Sequence, residues 1–406
     1  MNDYTQTTLA FLDGLRRQGH YPFCEFLHFL RSSAKVCVFG AGEWAANVCG
    51  KLSRPEIGIA IHCCCDNDTS KWGQTFFGVP CISLPELLAL KDEVTVLIVT
   101  GYCHEIYQQL KQAGVRNLYV LNKEYVVLGA ENLMRRVQDD AEFAQFREQV
   151  AELMDLLVDE QSLRTASTII RNWFTFSPFE QDYAEINVPD QYFPADIICL
   201  SDREVFVDLG AYDGKNTLEF IERSGKRFDA AYAFEMDRNN FALLANAFRA
   251  RPDNGAYSVR EVLSPSAMPA ALDEATLSGN AGGTVFLCRF GVGSTQGSIW
   301  YRSQSQASAA DALGDCLAEI ARIDDVLVGQ PVTLLKIDIE GAEMDAMEGA
   351  KETIRRWKPK IAACVYHNPD HLLQIPLFLK ELVPEYRFFL RHHTTTDLET
   401  VCYAIC

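Results

Sequence analysis

Two stretches of the sequence pass from an apolar strand pattern through a glycine turn into a helix pattern, and this feature constrains the fold most. "KVCVFGAGEWAANVCGKL" (residues 35–52) is the first stretch and "EVFVDLGAYDGKNTLEFIERSG" (residues 204–225) is the second. After each of them, further strand and helix patterns alternate, which is typical of a parallel sheet covered by helices. The 406 residues exceed the length of one ordinary domain and suffice for two with sizeable cores. The sequence therefore predicts an α/β protein with two parallel-sheet domains.

The periodicity also predicts where the domains begin and end. Apolar residues spaced by three or four, such as Phe146, Val150 and Leu153, indicate a helical connector between the two sheets. "EYRFFLRHH" and "ETVCYAIC" are expected to form a terminal antiparallel hairpin. The predicted segments are N-terminal helices over 1–34, a Rossmann-like domain over 35–128, the connector over 129–178 and the second domain over 179–406, with a Pro-, Ala-, Ser- and Gly-rich insertion at about 251–283.

The bulk composition excludes several classes of partner. A formal net charge of -18 argues against nucleic acid, because affinity for phosphate backbones is built from clustered Lys and Arg. No apolar run approaches the roughly 20 residues of a membrane helix, and the N-terminus lacks the pattern of a secretory leader. The 14 cysteines are scattered through apolar strands without a CxxC pair, which predicts buried reduced thiols. We therefore expect a cytoplasmic protein that acts on a small molecule or saccharide and could form a homodimer.

The first glycine turn, "VFGAGEWA", fits the G-x-G-x-x-A nucleotide-binding fingerprint directly after a strand. Gly40 and Gly42 allow the tight turn, and Asp66 follows the next strand at roughly the distance that the fingerprint requires. We therefore predict a nucleotide site formed by Gly40, Gly42 and Asp66. A docking domain that keeps this fold without a ligand is an equally supported interpretation.

The second glycine turn, "FVDLGAYDGKNT", has a different spacing. Asp208 ends the strand, and Gly210 and Gly214 lie four residues apart, so the acidic, wider loop suits a ligand that carries an ammonium group. Glu235 ends the next strand, where its carboxylate can accept hydrogen bonds from both hydroxyls of a ribose. This order of residues predicts a site for S-adenosylmethionine. Its candidate residues are Asp208, Gly210, Ala211, Gly214, Thr217, Glu235 and Met236.

A further acidic stretch, "LLKIDIEGAEMDAMEGA", begins as a strand and continues as a helix. Alternation along the strand places Lys336, Asp338 and Glu340 on one face, at the carboxyl edge where open parallel sheets bind their ligands. Glu343 and Asp345 follow at the helix start, where the helix dipole favours acidic side chains. Glu343 is in addition a candidate for the substrate site. The candidate substrate-binding residues are Asp213, Lys336, Glu343 and Arg391.

Two histidines end strand patterns near the C-terminus, His367 after "IAACVY" and His392 after "FFLR". Methyl transfer from S-adenosylmethionine needs a base for the proton that the acceptor loses, and we assign this role to His367 or Asp338, with Glu340 and His392 as further catalytic candidates. The alternative for each histidine is a satisfied hydrogen-bonding residue at a strand end. Another alternative is a divalent ion held by Asp338, Glu340, His367 and His392. We assign no metal, because Lys336 on the same strand face already offers a counter-charge.

Several segments resemble the FkbM family of S-adenosylmethionine-dependent methyltransferases: "FVDLGAYDG", "FEMDRNNFALLANAF", "KIDIEGAEMDAMEGAKETIRRWKPK" and "YHNPDHLLQIPLFLKEL". The resemblance covers roughly residue 205 to the C-terminus apart from the insertion. It implies a seven-stranded class I methyltransferase fold and methylation of a hydroxyl, often on a sugar or natural product. It also implies that Asp208, Gly210 and Gly214 hold the methionine end of the cofactor and that Glu235 holds the ribose. The first domain resembles the N-terminal Rossmann-like units of bacterial enzymes that modify nucleotide sugars.

The leading functional hypothesis is an S-adenosylmethionine-dependent O-methyltransferase. Its acceptor would be a hydroxyl of a sugar or saccharide-containing metabolite, which could be nucleotide-linked, in bacterial polysaccharide or glycoconjugate biosynthesis. One alternative is a nicotinamide-dependent sugar-nucleotide oxidoreductase centred on Gly40, Gly42 and Asp66. Another alternative is a non-catalytic nucleotide-sensing scaffold, which the acids and histidines at the second sheet edge disfavour.

Overall fold

The computed structural model describes residues 2–18, 22–55, 57–121, 136–174, 181–250, 256–268, 283–303 and 314–406. The chain divides into two compact units. The first unit comprises Met1–Met154, Leu163–Asn187 and Thr394–Asp397, and the second comprises Asp155–Ser162, Val188–His393 and Leu398–Cys406. The predicted boundaries at 128–129 and 178–179 lie outside the described residues, as do parts of the predicted insertion at 251–283.

A six-stranded sheet forms the centre of the first unit. Its strands are β1 (Lys35–Phe39), β2 (Cys63–Cys65), β3 (Thr75–Phe76), β4 (Val79–Ile82), β5 (Val94–Ile98) and β6 (Asn117–Val120). The strand order is β3-β4-β2-β1-β5-β6, and every neighbouring pair except β3 with β4 is parallel. β5 is buried along its whole length, as expected for a parallel sheet with both faces covered. The parallel sheet that the sequence predicts for this part of the chain is confirmed.

Most helices described up to residue 187 fall where the periodicity predicts them, whereas the short helix Gln181–Ile186 lies in a segment without clear periodicity. Helix α6 buries Phe146, Val150 and Leu153, the residues whose spacing indicated the connector. These helices are α1 (Asp3–Gln18), α2 (Pro22–Ser32), α3 (Glu43–Leu52), α4 (Leu84–Ala89), α5 (Cys103–Gln112), α6 (Asp140–Leu156), α7 (Glu160–Phe174) and α8 (Gln181–Ile186).

An eight-stranded sheet forms the centre of the second unit. Its strands are β7 (Val205–Leu209), β8 (Ala230–Phe234), β9 (Ser258–Val262), β10 (Thr284–Cys288), β14 (Leu334–Ile337), β15 (Lys360–Cys364), β16 (Arg387–His392) and β17 (Thr400–Ile405), while β11 (Gly291–Val292), β12 (Gly297–Tyr301) and β13 (Cys316–Ala321) make a small separate sheet. The order is β16-β17-β15-β14-β7-β8-β10-β9, and only β17 runs antiparallel to its neighbours. The terminal hairpin is therefore confirmed, and β9 adds an eighth, edge strand to the seven expected.

Helices of the second unit follow the strands of its sheet. They are α9 (Lys215–Arg223), α10 (Arg238–Arg249), α11 (Ile323–Val326), α12 (Glu343–Glu348), α13 (Lys351–Trp357) and α14 (His371–Leu382). Across the described ranges, none of the helices is both long and apolar enough to cross a membrane. Thirteen of the 14 cysteines are free thiols and most of these are buried, in agreement with the prediction of reduced thiols.

The strand order of the second unit indicates where a ligand would bind. From β7 the chain continues to β8 on one side, whereas β14 pairs with β7 on the other side. Ligands of open α/β sheets bind beyond the carboxyl ends of the strands at such a reversal. The residues that follow β7, β8, β14 and β15 therefore meet at the expected binding edge.

Buried Glu204, at the opposite end of β7, makes the stability of the second unit dependent on pH. Its carboxylate lies 2.6 Å from Lys360 Nζ through Oε1 and accepts a hydrogen bond from Thr333 Oγ1. Burial alone would raise the pKa of Glu204, but the contacts with Lys360 and Thr333 lower it below its ordinary value. Because the folded-state pKa lies below the unfolded value of about 4.3, this stabilisation is present above that pH and is lost as the pH falls through the folded pKa.

We expect Glu204→Gln to lower the free energy of unfolding by about 2 kcal/mol at pH 7, because Lys360 loses its charged partner. The difference from the wild type should shrink below about pH 4.3. Urea unfolding at a series of pH values measures both effects. Glu222→Gln, on the exposed face of α9, is the control and should change little. A difference between wild type and Glu204→Gln that stays constant from pH 7 to pH 3 would contradict this account.

Candidate active site

Gly210 and Gly214 shape the turn between β7 and α9. Both have positive φ, +82° and +83°, which glycine adopts without strain. A Cβ on Gly210 would lie 1.8 Å from the carbonyl oxygen of Asp338, and one on Gly214 would lie 2.7 Å from Leu244 Cδ1. The sequence-based argument used both glycines for a tight turn that comes close to a ligand. In the structure the space that each side chain would need is filled by the protein itself, which accounts for glycine at both positions, and their contact with a ligand stays a prediction.

Asp208 and Lys336 form a buried ion pair between β7 and β14. Lys336 Nζ lies 3.0 Å from Asp208 Oδ1 and donates to the Gly210 carbonyl oxygen at 2.7 Å, while Thr217 Oγ1 donates to Asp208 Oδ2 at 2.6 Å. Burial alone would lower the pKa of Lys336, but the negative charges of Asp208 and Asp338 raise it. Lys336 was predicted to bind substrate, and Asp208 and Thr217 to bind cofactor. In the structure all three side chains are buried, and they stabilise the turn between β7 and α9 from inside the protein.

Glu235 ties the turn after β8 to the turn after β7. The backbone N–H groups of Tyr212 and Asp237 donate to its two carboxylate oxygens at 3.0 and 2.8 Å. Burial, together with the charge of Asp237, raises the pKa of Glu235 to about 7. Tyr212 has φ +48°, a left-handed conformation that is uncommon for a residue other than glycine. The arrangement places a carboxylate with 8 % exposure at the predicted cofactor edge.

The other three residues predicted at this turn have internal roles. Ala211 is buried, and its N–H donates to the Phe234 carbonyl oxygen at 2.9 Å. Asp213 accepts from the Lys215 N–H at 3.1 Å, and its other oxygen lies 2.9 Å from Lys215 Nζ, so it supports the start of α9. The sulfur of Met236 would lie 3.4 Å from a Cβ on Gly291. The cofactor and substrate roles of these side chains remain predictions.

The acids after β14 lie in a turn and not in the strand. β14 ends at Ile337, and Glu340 has φ +54°, so the alternation of strand faces does not extend to Asp338 and Glu340 as predicted. A residue other than glycine is strained in this left-handed conformation, and strained residues occur most often at functional sites. Tyr192 Oη donates to Asp338 Oδ2 at 2.7 Å, and Lys336 Nζ lies 3.9 Å from the same oxygen.

His367, after β15, completes a group of acids and histidines that we call the acid–histidine cluster: Asp338, Glu340, Glu343, His367 and His371. His367 Nδ1 lies 2.8 Å from Glu343 Oε1, and its Nε2 lies 3.4 Å from Glu340 Oε2 and 3.7 Å from Asp338 Oδ1. Burial alone would lower the pKa of His367, but the hydrogen bond and charge of Glu343, with the other two acids, raise it to about 9. The acids around His367 therefore favour the protonated form of its imidazole.

Glu340 and Glu343 have opposite electrostatic environments. Burial, with the charge of Asp338, raises the pKa of Glu340 to about 7, although His367 opposes the change. Burial would also raise the pKa of Glu343, but its contacts with His367 and His371 lower it well below the ordinary value. Glu340 keeps 34 % of its side chain exposed, whereas Glu343 is fully buried. Glu340 is therefore accessible to a ligand, and Glu343 acts only through its neighbours.

Glu343 is the centre of the cluster, a role that sequence reasoning missed. Its Oε1 accepts from the backbone N–H groups of Ile339 and Gly341 at 3.1 and 3.2 Å, and its Oε2 lies 3.0 Å from His371 Nδ1. The prediction treated Glu343 as a helix-start residue and a substrate contact. The structure corrects this, because a fully buried carboxylate with these partners cannot reach a substrate. The four-residue spacing of His367 and His371 was the available signal for the second histidine.

Two further residues at this edge come from distant parts of the chain and carried no sequence signal. Tyr192 contacts Asp338 as described, and its ring lies 5.1 Å from Lys336 Nζ. Glu399, with φ +66°, accepts a hydrogen bond from Tyr366 Oη at 3.2 Å. Burial and the nearby charge of Asp338 raise the pKa of Glu399.

Arg391 and His392 were predicted to reach this edge, and the structure places both elsewhere. Arg391 Nη2 lies 2.7 Å from Asp159 Oδ2 and 2.9 Å from Asp196 Oδ2, so its charge is already compensated. His392 is fully buried, with Nδ1 2.8 Å from Thr400 Oγ1. It lies on β16, which β17 separates from β15, so strand spacing alone puts it roughly 10 Å from the β15 position. The structure therefore does not support the substrate role of Arg391 or the catalytic and metal-binding roles of His392.

In the first unit, the predicted nucleotide-site residues lie together. Gly40 has φ +123°, and a Cβ there would lie 2.3 Å from the Val99 carbonyl oxygen, whereas a Cβ on Gly42 would meet nothing within 4 Å. The Ala41 N–H donates to Asp66 Oδ2 at 2.9 Å, and Lys71 Nζ lies 2.8 Å from the same oxygen. Burial alone would raise the pKa of Asp66, but Lys71 and backbone N–H groups lower it. The nucleotide site remains a prediction.

Two family models match separate parts of the chain. Residues 208–394 match the family model described as "Methyltransferase FkbM domain", and residues 32–121 match the one described as "C2185-like, N-terminal". The crystal structure of methyltransferase FkbM from Methylobacillus flagellatus KT superimposes with a TM-score of 0.72 and 23% sequence identity, over 99% of this chain and 99% of that one. At this identity the likeness shows the fold. None of the curated proteins matches this chain.

Proposed function

Because residues 208–394 are a methyltransferase FkbM domain and the protein is thus a methyltransferase, we propose that it transfers a methyl group from S-adenosylmethionine to a hydroxyl of a saccharide-containing acceptor. The observation that carries this proposal is the convergence of Asp338, Glu340 and His367 at the carboxyl ends of β14 and β15. This group lies beside the Gly210 turn, which packs against the Asp338 carbonyl oxygen. The carboxyl edge of the sheet therefore carries acids that can bind an acceptor hydroxyl. These acids lie next to the turn that we propose binds the cofactor.

The residues at the turn fit S-adenosylmethionine in charge and in position. Glu235 presents a carboxylate at the end of β8, a position from which it can accept hydrogen bonds from a ribose diol. Asp338, Glu340 and Glu399 make the neighbouring edge acidic, which suits a ligand with ammonium and sulfonium charges. When bound, S-adenosylmethionine supplies an activated methyl group. The protein has to orient the acceptor and receive its proton.

We assign the base to the carboxylates and not to His367. Methylation of an alcohol releases the hydroxyl proton, so a base must lie within hydrogen-bond distance of the acceptor oxygen. Asp338 and Glu340 are 22 % and 34 % exposed and can meet a substrate. The pKa of His367 is raised to about 9 by the surrounding acids, which makes its imidazole a less suitable proton acceptor at neutral pH than the two carboxylates. This refines the expectation that His367 or Asp338 is the base.

A saccharide acceptor accords with the polar chemistry of the site. Sugar hydroxyls donate hydrogen bonds to carboxylates, and Asp338, Glu340 and Glu399 provide several acceptors within one edge. The net charge of -18 disfavours nucleic acid. We place the reaction in the biosynthesis of a bacterial polysaccharide or glycoconjugate in the cytoplasm. The first unit would supply a nucleotide-linked sugar, with Gly40, Gly42 and Asp66 as its candidate contacts.

Calorimetry on the full chain with S-adenosylmethionine, S-adenosylhomocysteine, NAD and a panel of nucleotide sugars tests the proposal. We expect the first two ligands to bind, and Glu235→Gln to weaken that binding roughly tenfold because a charge-assisted hydrogen bond to the ribose is lost. Glu219→Gln, in α9 and paired with Arg223, is the matched control and should bind normally. Failure of both ligands to bind would overturn the proposal. Binding of NAD alone would favour the oxidoreductase alternative.

A further inference from the structure

Several buried polar atoms of the proposed active site have no hydrogen-bond partner among the described residues, and one of them faces the two partly exposed acids of the acid–histidine cluster. It is Nε2 of His367, whose side chain is 9 % exposed. The ring directs this atom towards two carboxylates, Asp338 and Glu340. A buried imidazole nitrogen that faces two acids without bonding to either is unusual, because buried polar atoms are normally satisfied.

Of the two distances around Nε2, the one to Glu340 equals the ligand separation in a tetrahedral metal site, and the one to Asp338 exceeds it by about 0.3 Å. Nε2 lies 3.4 Å from Glu340 Oε2 and 3.7 Å from Asp338 Oδ1, which is long for a hydrogen bond. Ligands at about 2.1 Å from an ion are separated by about 3.0 Å in an octahedron and about 3.4 Å in a tetrahedron. We propose that Asp338, Glu340 and His367 form a binding site for one divalent transition-metal ion such as Mn²⁺. This replaces the sequence-based expectation of no metal.

Each of these side chains is already oriented for such a site. Tyr192 donates to Asp338 Oδ2, which leaves Oδ1 as the oxygen that faces His367. Glu343 Oε1 holds His367 Nδ1 at 2.8 Å, and a carboxylate in this place commonly fixes the tautomer and ring orientation of a metal-binding histidine. Glu343, Asp338 and His367 offer ligand atoms within 4.8 Å of one another. We do not count Glu343 as a metal ligand, because its Oε1 already accepts hydrogen bonds from backbone N–H groups. Its role is to orient His367.

The ligand chemistry selects the kind of ion. One imidazole and two carboxylates suit Mn²⁺, Fe²⁺ or Zn²⁺, whereas Ca²⁺ prefers a shell made only of oxygen. Three protein ligands leave coordination positions open, as in catalytic metal sites. If the proposed function holds, acceptor hydroxyls would occupy these positions, and the ion would lower the pKa of a hydroxyl bound to it. Metal binding itself does not depend on that role.

Titration of the full chain with Mn²⁺, followed by the loss of the free-ion EPR signal, tests the site. We expect one ion per chain, with Asp338→Asn and His367→Gln each binding at least tenfold more weakly, and Glu343→Gln about 10- to 100-fold more weakly. Glu381→Gln removes the same charge from an exposed position on α14 and is the matched control, which should bind as the wild type does. Ca²⁺ should compete poorly for the site. Pulsed EPR of Mn²⁺ bound to the wild type should show coupling to an imidazole nitrogen.

Three outcomes would overturn the inference: no stoichiometric binding of Mn²⁺, unchanged binding in Asp338→Asn and His367→Gln, or bound Mn²⁺ without coupling to nitrogen. The pulsed measurement uses only the wild type, so the inference stays testable if a variant fails to fold. A protein that binds S-adenosylmethionine but not Mn²⁺ would retain the proposed function and lose the metal site. A protein that binds Mn²⁺ but neither S-adenosylmethionine nor S-adenosylhomocysteine would do the reverse.

Discussion

Gly210→Ala should destabilise the second unit by roughly 4 kcal/mol, because two penalties act together. The first is the left-handed conformation, φ +82°, which costs a residue with a Cβ about 1–2 kcal/mol. The second is the clash of the new methyl group with the Asp338 carbonyl oxygen, 1.8 Å from the ideal Cβ position. Overpacking of this kind typically costs about 1–3 kcal/mol, and here the obstacle is backbone that cannot rotate away.

Urea unfolding of Gly210→Ala and of a matched variant separates these two penalties. Gly225 also has positive φ, +62°, but a Cβ there would have no heavy atom within 4 Å. Gly225→Ala should therefore lose only the conformational part, about 1–2 kcal/mol. Equal losses in the two variants would show that the contact between the Gly210 turn and the residue after β14 is not close in solution. A loss in Gly210→Ala alone would contradict the conformational part of the argument.

Glu343→Gln should lower the free energy of unfolding by about 3 kcal/mol in metal-free protein, because it removes the buried charge that two histidines share. The amide oxygen of the variant can still accept from the Ile339 and Gly341 N–H groups, which keeps the loss near the lower end for a broken buried pair. His367 and His371 then lose a charged partner, the Glu343 carboxylate. Urea unfolding at pH 7 in the presence of a chelator measures the change.

Glu348→Gln is the matched control for this prediction. Glu348 lies on the same helix, α12, and forms a partly exposed pair with Lys351. Pairs of this kind contribute about 0–1 kcal/mol, so the control should unfold almost as the wild type does. If Glu343→Gln were as stable as Glu348→Gln, the buried carboxylate would not be the centre of the acid–histidine cluster.

Much of the fold follows from local patterns in the sequence. The apolar runs, glycine turns and helix periodicity predict both parallel sheets and the terminal hairpin, because each pattern is complete within about twenty residues. Gly210 and Gly214 are recognisable as turn residues for the same reason. The edge strand β9 was missed because it lies within a Pro-, Ala-, Ser- and Gly-rich stretch that reads as an insertion.

The site was only partly predictable. The carboxyl edge and the acids Asp338, Glu340 and Glu235 follow from the rule that strand-end residues of parallel sheets meet at one edge. The same rule led to the prediction that Arg391 and His392 belong to the site. A residue can end a strand and still have its side chain bound to other partners, and this is the case for both. Asp159 and Asp196 lie nearly two hundred residues or more from Arg391 in the chain, and no local pattern signals their contact with it.

The sequence alone determined the order of strands and helices, the position of the glycine turns and the presence of acid at the binding edge. Tertiary structure decided which acid is accessible and which is buried: Glu340 leaves the strand register through a left-handed turn, while Glu343 turns inward to His367 and His371. The physical reason is that strand and helix periodicity depends on neighbours in the chain. Charge compensation depends on neighbours in space, and only the folded chain brings these together.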